Sequence, residues 1–294
     1  MKKLMKDINK KFVVMILFSW LFFIGAIYLG ITNIIYLPIE QNVIDVFVRG
    51  YFTTGQQYFH LLFVLGLFGP LFIYIWHYKE KVCNKKVKLL EMKKNKDYYC
   101  KKEFVSLVKF EKVNKYFVLL VVLLPLLSFG LIFIFDKLLN FDQFFAIYQT
   151  IYFIPLFLFT FITYATSEFG FRKYFLDNLL KKKSFFESSL MVAVMSLIWV
   201  LPYIGYFHFI YGYESIILSL IFYSVFYISM SIILSFLYYD TKNILFNWIA
   251  SAWFYSVYLF ALSKFYDSYI GLIIFSITFL TTAALFIKYD YKKS

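Results

Sequence analysis

Eight long apolar stretches are the feature that most constrains how this chain can fold. Each is about 20 residues long, the length that a helix needs to cross the hydrocarbon core of a bilayer. Backbone polar groups must be satisfied inside such a segment, and this requirement favours helices. The stretches cover about 12–35, 58–78, 116–135, 144–168, 189–211, 215–239, 244–263 and 266–287. The sequence therefore predicts an all-α, polytopic membrane helix bundle with eight transmembrane helices.

Composition and charge point to the same class of protein. Hydrophobic residues make up 62% of the chain and charged residues only 16%, whereas soluble domains are about half apolar and about a quarter charged. The net charge of +13 would also fit a nucleic-acid-binding protein. Lysines of membrane proteins, however, collect in cytoplasmic loops beside anionic lipid. We therefore expect membrane lipid as a partner and no nucleic acid.

The positions of the basic residues predict an orientation. Lysines cluster at the N-terminus, in the loop 79–115, after the fourth stretch and at the C-terminus. With eight crossings, all four clusters lie on one side, so both termini are predicted to be cytoplasmic. We expect residues 1–294 to form a single membrane domain, in which 1–143 contribute three spans and the basic cytoplasmic loop.

One ionisable pair adjoins the fourth stretch, in "TSEFGFRKYF". Glu168 is the acidic residue most closely attached to a span, and Arg172 follows one helical turn later, where an ion pair can form. Because a charge in a membrane segment is costly, such a residue is a functional candidate. The alternative is a helix end that reaches the cytoplasmic surface with a polar edge.

The segment "SEFGFRKYF" resembles the first signature of the CPBP family, which comprises CAAX proteases and bacteriocin-processing or self-immunity proteins (the Abi domain). That signature has two adjacent glutamates, three variable residues and an arginine. Glu168 matches the second glutamate and Arg172 the arginine, while Ser167 stands at the first glutamate. The resemblance extends over about 144–290.

Two further signatures of that family are matched only in part. In "SLIWVLPY", Trp199 takes the place of the aromatic residue and Tyr203 that of the histidine four residues later. The third signature is a histidine followed four residues later by Asn or Asp. In "NWIASAWFY", our alignment puts Ser251 at the histidine and Tyr255 at the Asn. The resemblance implies a former catalytic chamber lined by Ser167, Trp199, Ser251 and Tyr255.

The resemblance also implies a chemistry, namely hydrolysis of a peptide bond within the membrane by a glutamate and a histidine that activate water. This chain lacks both expected histidines, and Tyr203 is a poor general base at neutral pH. His77 and His208 are the remaining candidate partners of Glu168, and we expect His77 at the depth of Glu168. For each histidine the alternative is an ordinary hydrogen-bonded or interfacial side chain. No ligand cluster or nucleotide motif predicts a metal or another cofactor.

These observations lead to three functional hypotheses. The first is a catalytically inactive CPBP-like protein of the bacterial cell membrane. It would bind another membrane or envelope protein or peptide, as a bacteriocin self-immunity factor or a scaffold. The second is an active intramembrane endopeptidase with a rearranged Glu/His site. The third is a transporter or permease subunit, which would need several polar groups at the bilayer midplane, and the sequence has few there.

Overall fold

Helices account for every regular element that the structure describes. The computed structural model describes residues 2–32, 57–83, 113–138, 153–211, 216–264 and 270–293. The first helices are α1 (Lys2–Thr32), α2 (Gln57–Leu67), α3 (Gly69–Cys83), α4 (Lys115–Leu138) and α5 (Phe153–Ile162). A 3₁₀ turn (Tyr164–Thr166), a π-helical segment (Phe169–Leu176) and a short α-helical turn (Asp177–Leu179) follow. The last helices are α6 (Phe185–Tyr211), α7 (Ile216–Thr241), α8 (Ile244–Lys264) and α9 (Ile270–Lys293). The prediction of an all-α fold is confirmed.

Each of the eight predicted stretches contains a helix. Five helical stretches are long and apolar enough to cross a membrane: Met5–Tyr28, Lys115–Ile132, Phe153–Leu179, Phe185–Pro202 and Leu220–Thr241. The pair α2 and α3, bent by 49°, would make a sixth if it forms one span. The apolar helices Ile244–Phe260 and Ile273–Lys288 are shorter. The exact number of eight crossings and the cytoplasmic location of both termini stay predictions.

Glycines allow α1, the bent pair and the π-helical segment to approach closely. A Cβ at Gly69 would overlap Oγ of Ser19 in α1, and a Cβ at Gly170 would overlap the backbone carbonyl oxygen of Pro70. The side chain of Ser19 fills the space beside Gly69, and the backbone of Pro70 fills the space beside Gly170. Small residues are therefore needed at these contacts, as is common between membrane helices. The N-terminal end of α3 therefore lies directly against the π-helical segment.

The C-terminal helices pack around an aromatic core. Helix α7 packs against α6 and α9, and α8 packs against α5. The ring of Phe226 in α7 stacks on Tyr258 of α8, with their centroids 3.8 Å apart, and contacts Phe279 of α9 at 5.0 Å. This packing brings the first half of α8 to the place where α5 ends.

The helical structure of the fourth stretch changes type instead of ending. Thr163 follows α5 with φ −98° and ψ −80°, and the chain then continues through the 3₁₀ turn and the π-helical segment to Leu179. The indole N–H of Trp248 donates to the backbone carbonyl of Phe161 at 2.7 Å, and the two rings stack at 4.7 Å. Our expected end near residue 168 is therefore too early. The apolar run stops there, but Arg172, the first charged residue beyond it, has its partners inside the bundle.

Candidate functional site

Glu168 and Arg172 form a buried ion pair where the 3₁₀ turn meets the π-helical segment. Nε of Arg172 lies 3.2 Å from Oε2 of Glu168, and their side chains are only 2% and 3% exposed, respectively. The predicted pair is therefore present. Its burial excludes the alternative of a polar edge at the surface of the protein.

Helices α7 and α8 supply the other partners of the pair. The side-chain amide of Asn247 donates from Nδ2 to Oε2 of Glu168 at 2.6 Å. The hydroxyl of Ser251, one turn further along α8, donates to Oε1 at 3.2 Å. On the other side, Nη2 of Arg172 donates to the hydroxyl of Ser231 in α7 at 3.0 Å. Hydrogen bonds thus join the segment that carries Glu168 to two other helices.

Ser251 contacts Glu168 in the structure. The second residue of α8 that contacts Glu168 is Asn247. The sequence alignment had paired Ser251 with Tyr255, one turn further along α8. Tyr255 is buried and places its ring 4.7 Å from that of Tyr164. The two α8 side chains that donate hydrogen bonds to Glu168 are therefore Asn247 and Ser251, one turn apart on the same helix face.

Asn247 and Ser231 are the site residues that the sequence reasoning missed. The signal for Asn247 was available, because an amide four residues before Ser251 shares its helix face. No comparable signal marked Ser231, which lies among several serines of α7.

Ser167 and Trp199 lie in different surroundings. Ser167 is buried, and its backbone N–H bonds to the carbonyl of Tyr164 within the 3₁₀ turn. The indole N–H of Trp199 donates to Oγ of Ser19 at 3.0 Å, and its ring lies 5.5 Å from that of Phe171. Trp199 therefore joins α1 to the π-helical segment, and its indole N–H is not directed at Glu168.

His77 lies at the other end of the π-helical segment. Its ring is 4.6 Å from that of Tyr174, and its Nδ1 is 3.4 Å from Nζ of Lys11 in α1. The hydroxyl of Tyr174 in turn donates to Asp7 at 3.2 Å. These contacts place His77 in a polar cluster with α1. The other two candidates, Tyr203 and His208, belong to α6, but their side chains lie outside the described part of the structure.

Two hydrogen-bond donors and one cation surround the carboxylate of Glu168. An amide, a hydroxyl and a guanidinium stabilise a carboxylate, and such donors also stabilise developing negative charge. None of the three takes up a proton at neutral pH. Among the described residues, no group of three His, Cys, Asp or Glu side chains is placed to hold a metal ion. The arrangement is suited to holding one negative charge in a fixed position between three helical segments.

Comparison with known proteins identifies the region that contains this site. Residues 148–251 match the family model of the type II CAAX prenyl endopeptidases, Rce1-like. A search of curated proteins found no match. The matched region includes Glu168 and Arg172 and ends at Ser251. It therefore contains the ion pair and the residues that donate hydrogen bonds to Glu168. With its apolar helices, the chain is a multi-pass membrane protein that carries, at residues 148–251, an Rce1-like domain of the CPBP family.

Proposed function

We propose that this protein is a catalytically inactive CPBP-family member that binds another membrane or envelope protein or peptide in the bacterial cell membrane. A bacteriocin self-immunity factor and a membrane scaffold are the two forms of this function. The observation that carries the proposal is the set of donors on Glu168. Both of its carboxylate oxygens accept hydrogen bonds, from Asn247 and Ser251, and Arg172 neutralises its charge.

A catalytic glutamate has requirements beyond these contacts. A general base must lie within hydrogen-bonding distance of the water whose proton it takes, and its basicity must suit proton transfer. Glu168 is 3% exposed, accepts hydrogen bonds from two donors and forms an ion pair with Arg172. The one histidine whose side chain is described, His77, contacts Tyr174 and Lys11 instead. These contacts favour a structural use of the carboxylate.

The structural use is to fix the helices that a partner would contact. Removing one member of a buried pair leaves an uncompensated charge, at a cost of about 3–5 kcal/mol, whereas replacing both members can be nearly neutral. The pair with Arg172 thus sets the position of the π-helical segment against α7 and α8. A binding protein needs that rigidity but no reactive group.

A comparison of single and paired substitutions tests the proposal. We expect Glu168→Gln and Arg172→Met each to lower the free energy of unfolding by about 3 kcal/mol. The double variant should recover most of that loss, together with partner binding or protection against a bacteriocin. Lys288→Gln, at an exposed lysine of α9, is the control and should behave as the wild type. A stable double variant that has lost its phenotype would contradict the structural role.

The second candidate function is an active intramembrane endopeptidase, which the family match favours. Purified protein should then release a fragment from a prenylated CAAX peptide, and the folded double variant should not. Such activity would overturn our proposal. Absence of cleavage by wild-type protein, together with bacteriocin sensitivity in cells that lack it, would support immunity. A specific complex without a sensitivity phenotype would support the scaffold.

A further inference from the structure

Helix α1 presents to its surroundings a face that is basic at one end and apolar beyond it. Lys6 and Lys10 are exposed and lie one turn apart near the N-terminal end of the helix. The same face continues with large apolar side chains that are between 54% and 71% exposed: Val13, Leu17, Leu21, Ile24 and Tyr28. Their spacing of three and four residues keeps them in one stripe along the helix.

The two lysines have no counter-charge in the described part of the protein. Asp7, the acidic residue between them in sequence, pairs instead with the buried Lys11 at 3.4 Å. No described carboxylate forms an ion pair with Lys6 or Lys10. Like charges four residues apart on a helix repel each other, and an anion between them relieves this repulsion. This end of α1 is therefore suited to binding a negatively charged group.

An open, shallow part of the α1 surface connects the basic end to the apolar stripe. It is lined by Met5, Lys6, Asn9, Lys10, Val13 and Val14. From Lys10 to Leu21 the helix rises about 16 Å, close to half of the roughly 30 Å hydrocarbon core. A phosphate at the lysines would thus place an acyl chain along the stripe within one leaflet.

We propose that this face of α1 binds an anionic phospholipid, with its phosphate between Lys6 and Lys10 and one acyl chain along Val13, Leu17 and Leu21. The exposed face of α4 differs, because it begins with the single Lys115, whose Nζ lies over the ring of Tyr116 at 5.4 Å. A bare apolar face takes up any lipid. Two adjacent lysines without a counter-charge among the described residues, followed by an apolar stripe, select a negatively charged one.

The proposed lipid site lies on the outer side of the part of α1 whose inner side contacts α3 and the π-helical segment. On that inner side, Lys11 contacts His77, and Asp7 accepts the hydroxyl of Tyr174 from the π-helical segment. A lipid held on the outer side restrains α1 in this position. Lipid binding should therefore raise the thermal stability of the whole protein.

The test compares two double variants of the full chain in nanodiscs or detergent. The probes are phosphatidylglycerol and phosphatidylcholine with identical acyl chains, and the readouts are retained lipid by native mass spectrometry and the thermal midpoint. We expect wild-type protein to retain one phosphatidylglycerol and to melt at a higher temperature with it. Lys6→Gln/Lys10→Gln should weaken this binding by about 30-fold, the attraction expected from two lysines near a lipid surface. The control Lys115→Gln/Lys288→Gln alters two exposed lysines elsewhere and should bind as the wild type does.

Three outcomes would overturn the proposal. If both double variants bind phosphatidylglycerol equally weakly, the effect is one of net charge. If the wild type retains both lipids equally, the lysines do not discriminate between anionic and zwitterionic lipid. Displacement of the lipid by inorganic phosphate or glycerol phosphate at comparable concentration would identify a site for a free anion. Since all four lysines are exposed, none of these variants should prevent folding. Thermal midpoints in phosphatidylcholine check this directly.

Discussion

The side-chain amide of Asn247 donates a 2.6 Å hydrogen bond to Oε2 of Glu168, although 79 positions separate the two residues in the chain. The same oxygen faces Nε of Arg172 at 3.2 Å. One carboxylate oxygen therefore joins a neutral donor from α8 to a cation of its own helical segment. This contact makes α8 a part of the site, and it is the first target for substitution.

Substitutions of Asn247 should reveal how strongly the buried carboxylate depends on its donors. Asn247→Leu removes a charge-assisted hydrogen bond and should lower the free energy of unfolding by about 1.5–3 kcal/mol. Asn247→Asp should cost more, because it sets a second carboxylate beside Glu168. Ser251→Ala, which removes the longer 3.2 Å bond, should have the smallest effect. Reversible unfolding in mixed detergent measures all three, and an Asp variant as stable as the wild type would contradict the ionised pair.

Trp248 should stabilise the change of helix type after α5. Trp248→Phe keeps an aromatic ring but removes the indole N–H that bonds to the carbonyl of Phe161. The matched control is Trp253→Phe, since the indole N–H of Trp253 has no hydrogen-bond partner in the described part of the chain. We expect the first variant to lose about 1 kcal/mol more than the second. Equal losses would assign the effect of Trp248 to ring size alone.

Gly170 should tolerate no side chain. A Cβ there would overlap the carbonyl of Pro70, and both are backbone positions that cannot move independently. Gly170→Ala should therefore cost about 1–3 kcal/mol by overpacking and should weaken partner binding by shifting the π-helical segment. Gly130→Ala is the control, because a Cβ at that position in α4 meets nothing within 4 Å. A thermal-shift assay should show a lower midpoint for the first variant and an unchanged or higher midpoint for the second.

Lys242 occupies the one left-handed backbone conformation of a non-glycine residue in the described chain, with φ 52°. It links α7 to α8 just before Asn243, whose Oδ1 accepts the backbone N–H of Phe246 and caps α8. A β-branched residue is strained there, so Lys242→Val should be less stable than Lys242→Gly by about 2 kcal/mol. Both variants lose the contact of Nζ with the ring of Tyr239 at 4.5 Å. Their difference in stability therefore reports the cost of the left-handed backbone conformation. Equal midpoints would contradict the left-handed conformation.

Much of the candidate site could be predicted from short-range patterns. Glu168 and Arg172 are four residues apart on a helical segment, so their pairing required no knowledge of the remaining chain. Ser251 was identified through a resemblance that depends on spacing within a single stretch. Asn247 also lies within reach of this reasoning, since it shares a helix face with Ser251. The contact between Asn247 and Glu168 was the step that needed the structure.

The histidines show where short-range reasoning ends. The depth of His77 was inferred from its place in the second stretch, and it does contact the π-helical segment. Its partners, however, are Tyr174 and Lys11, because α1 crosses α3 at that level. Trp199 was assigned to the chamber by motif position alone. Its indole N–H instead donates to Ser19, 180 positions away.

The sequence by itself determined the helical class, the membrane setting and the local ion pair. The length of an apolar run and the spacing of side chains along one helix are properties of consecutive residues, and elementary sterics and solvation set their consequences. Only the tertiary structure decided that Asn247 and Ser231 complete the site and that Glu168 lies inside the bundle. These contacts depend on which faces of distant helices meet, and that is set by the packing of many weak interactions between segments far apart in the chain.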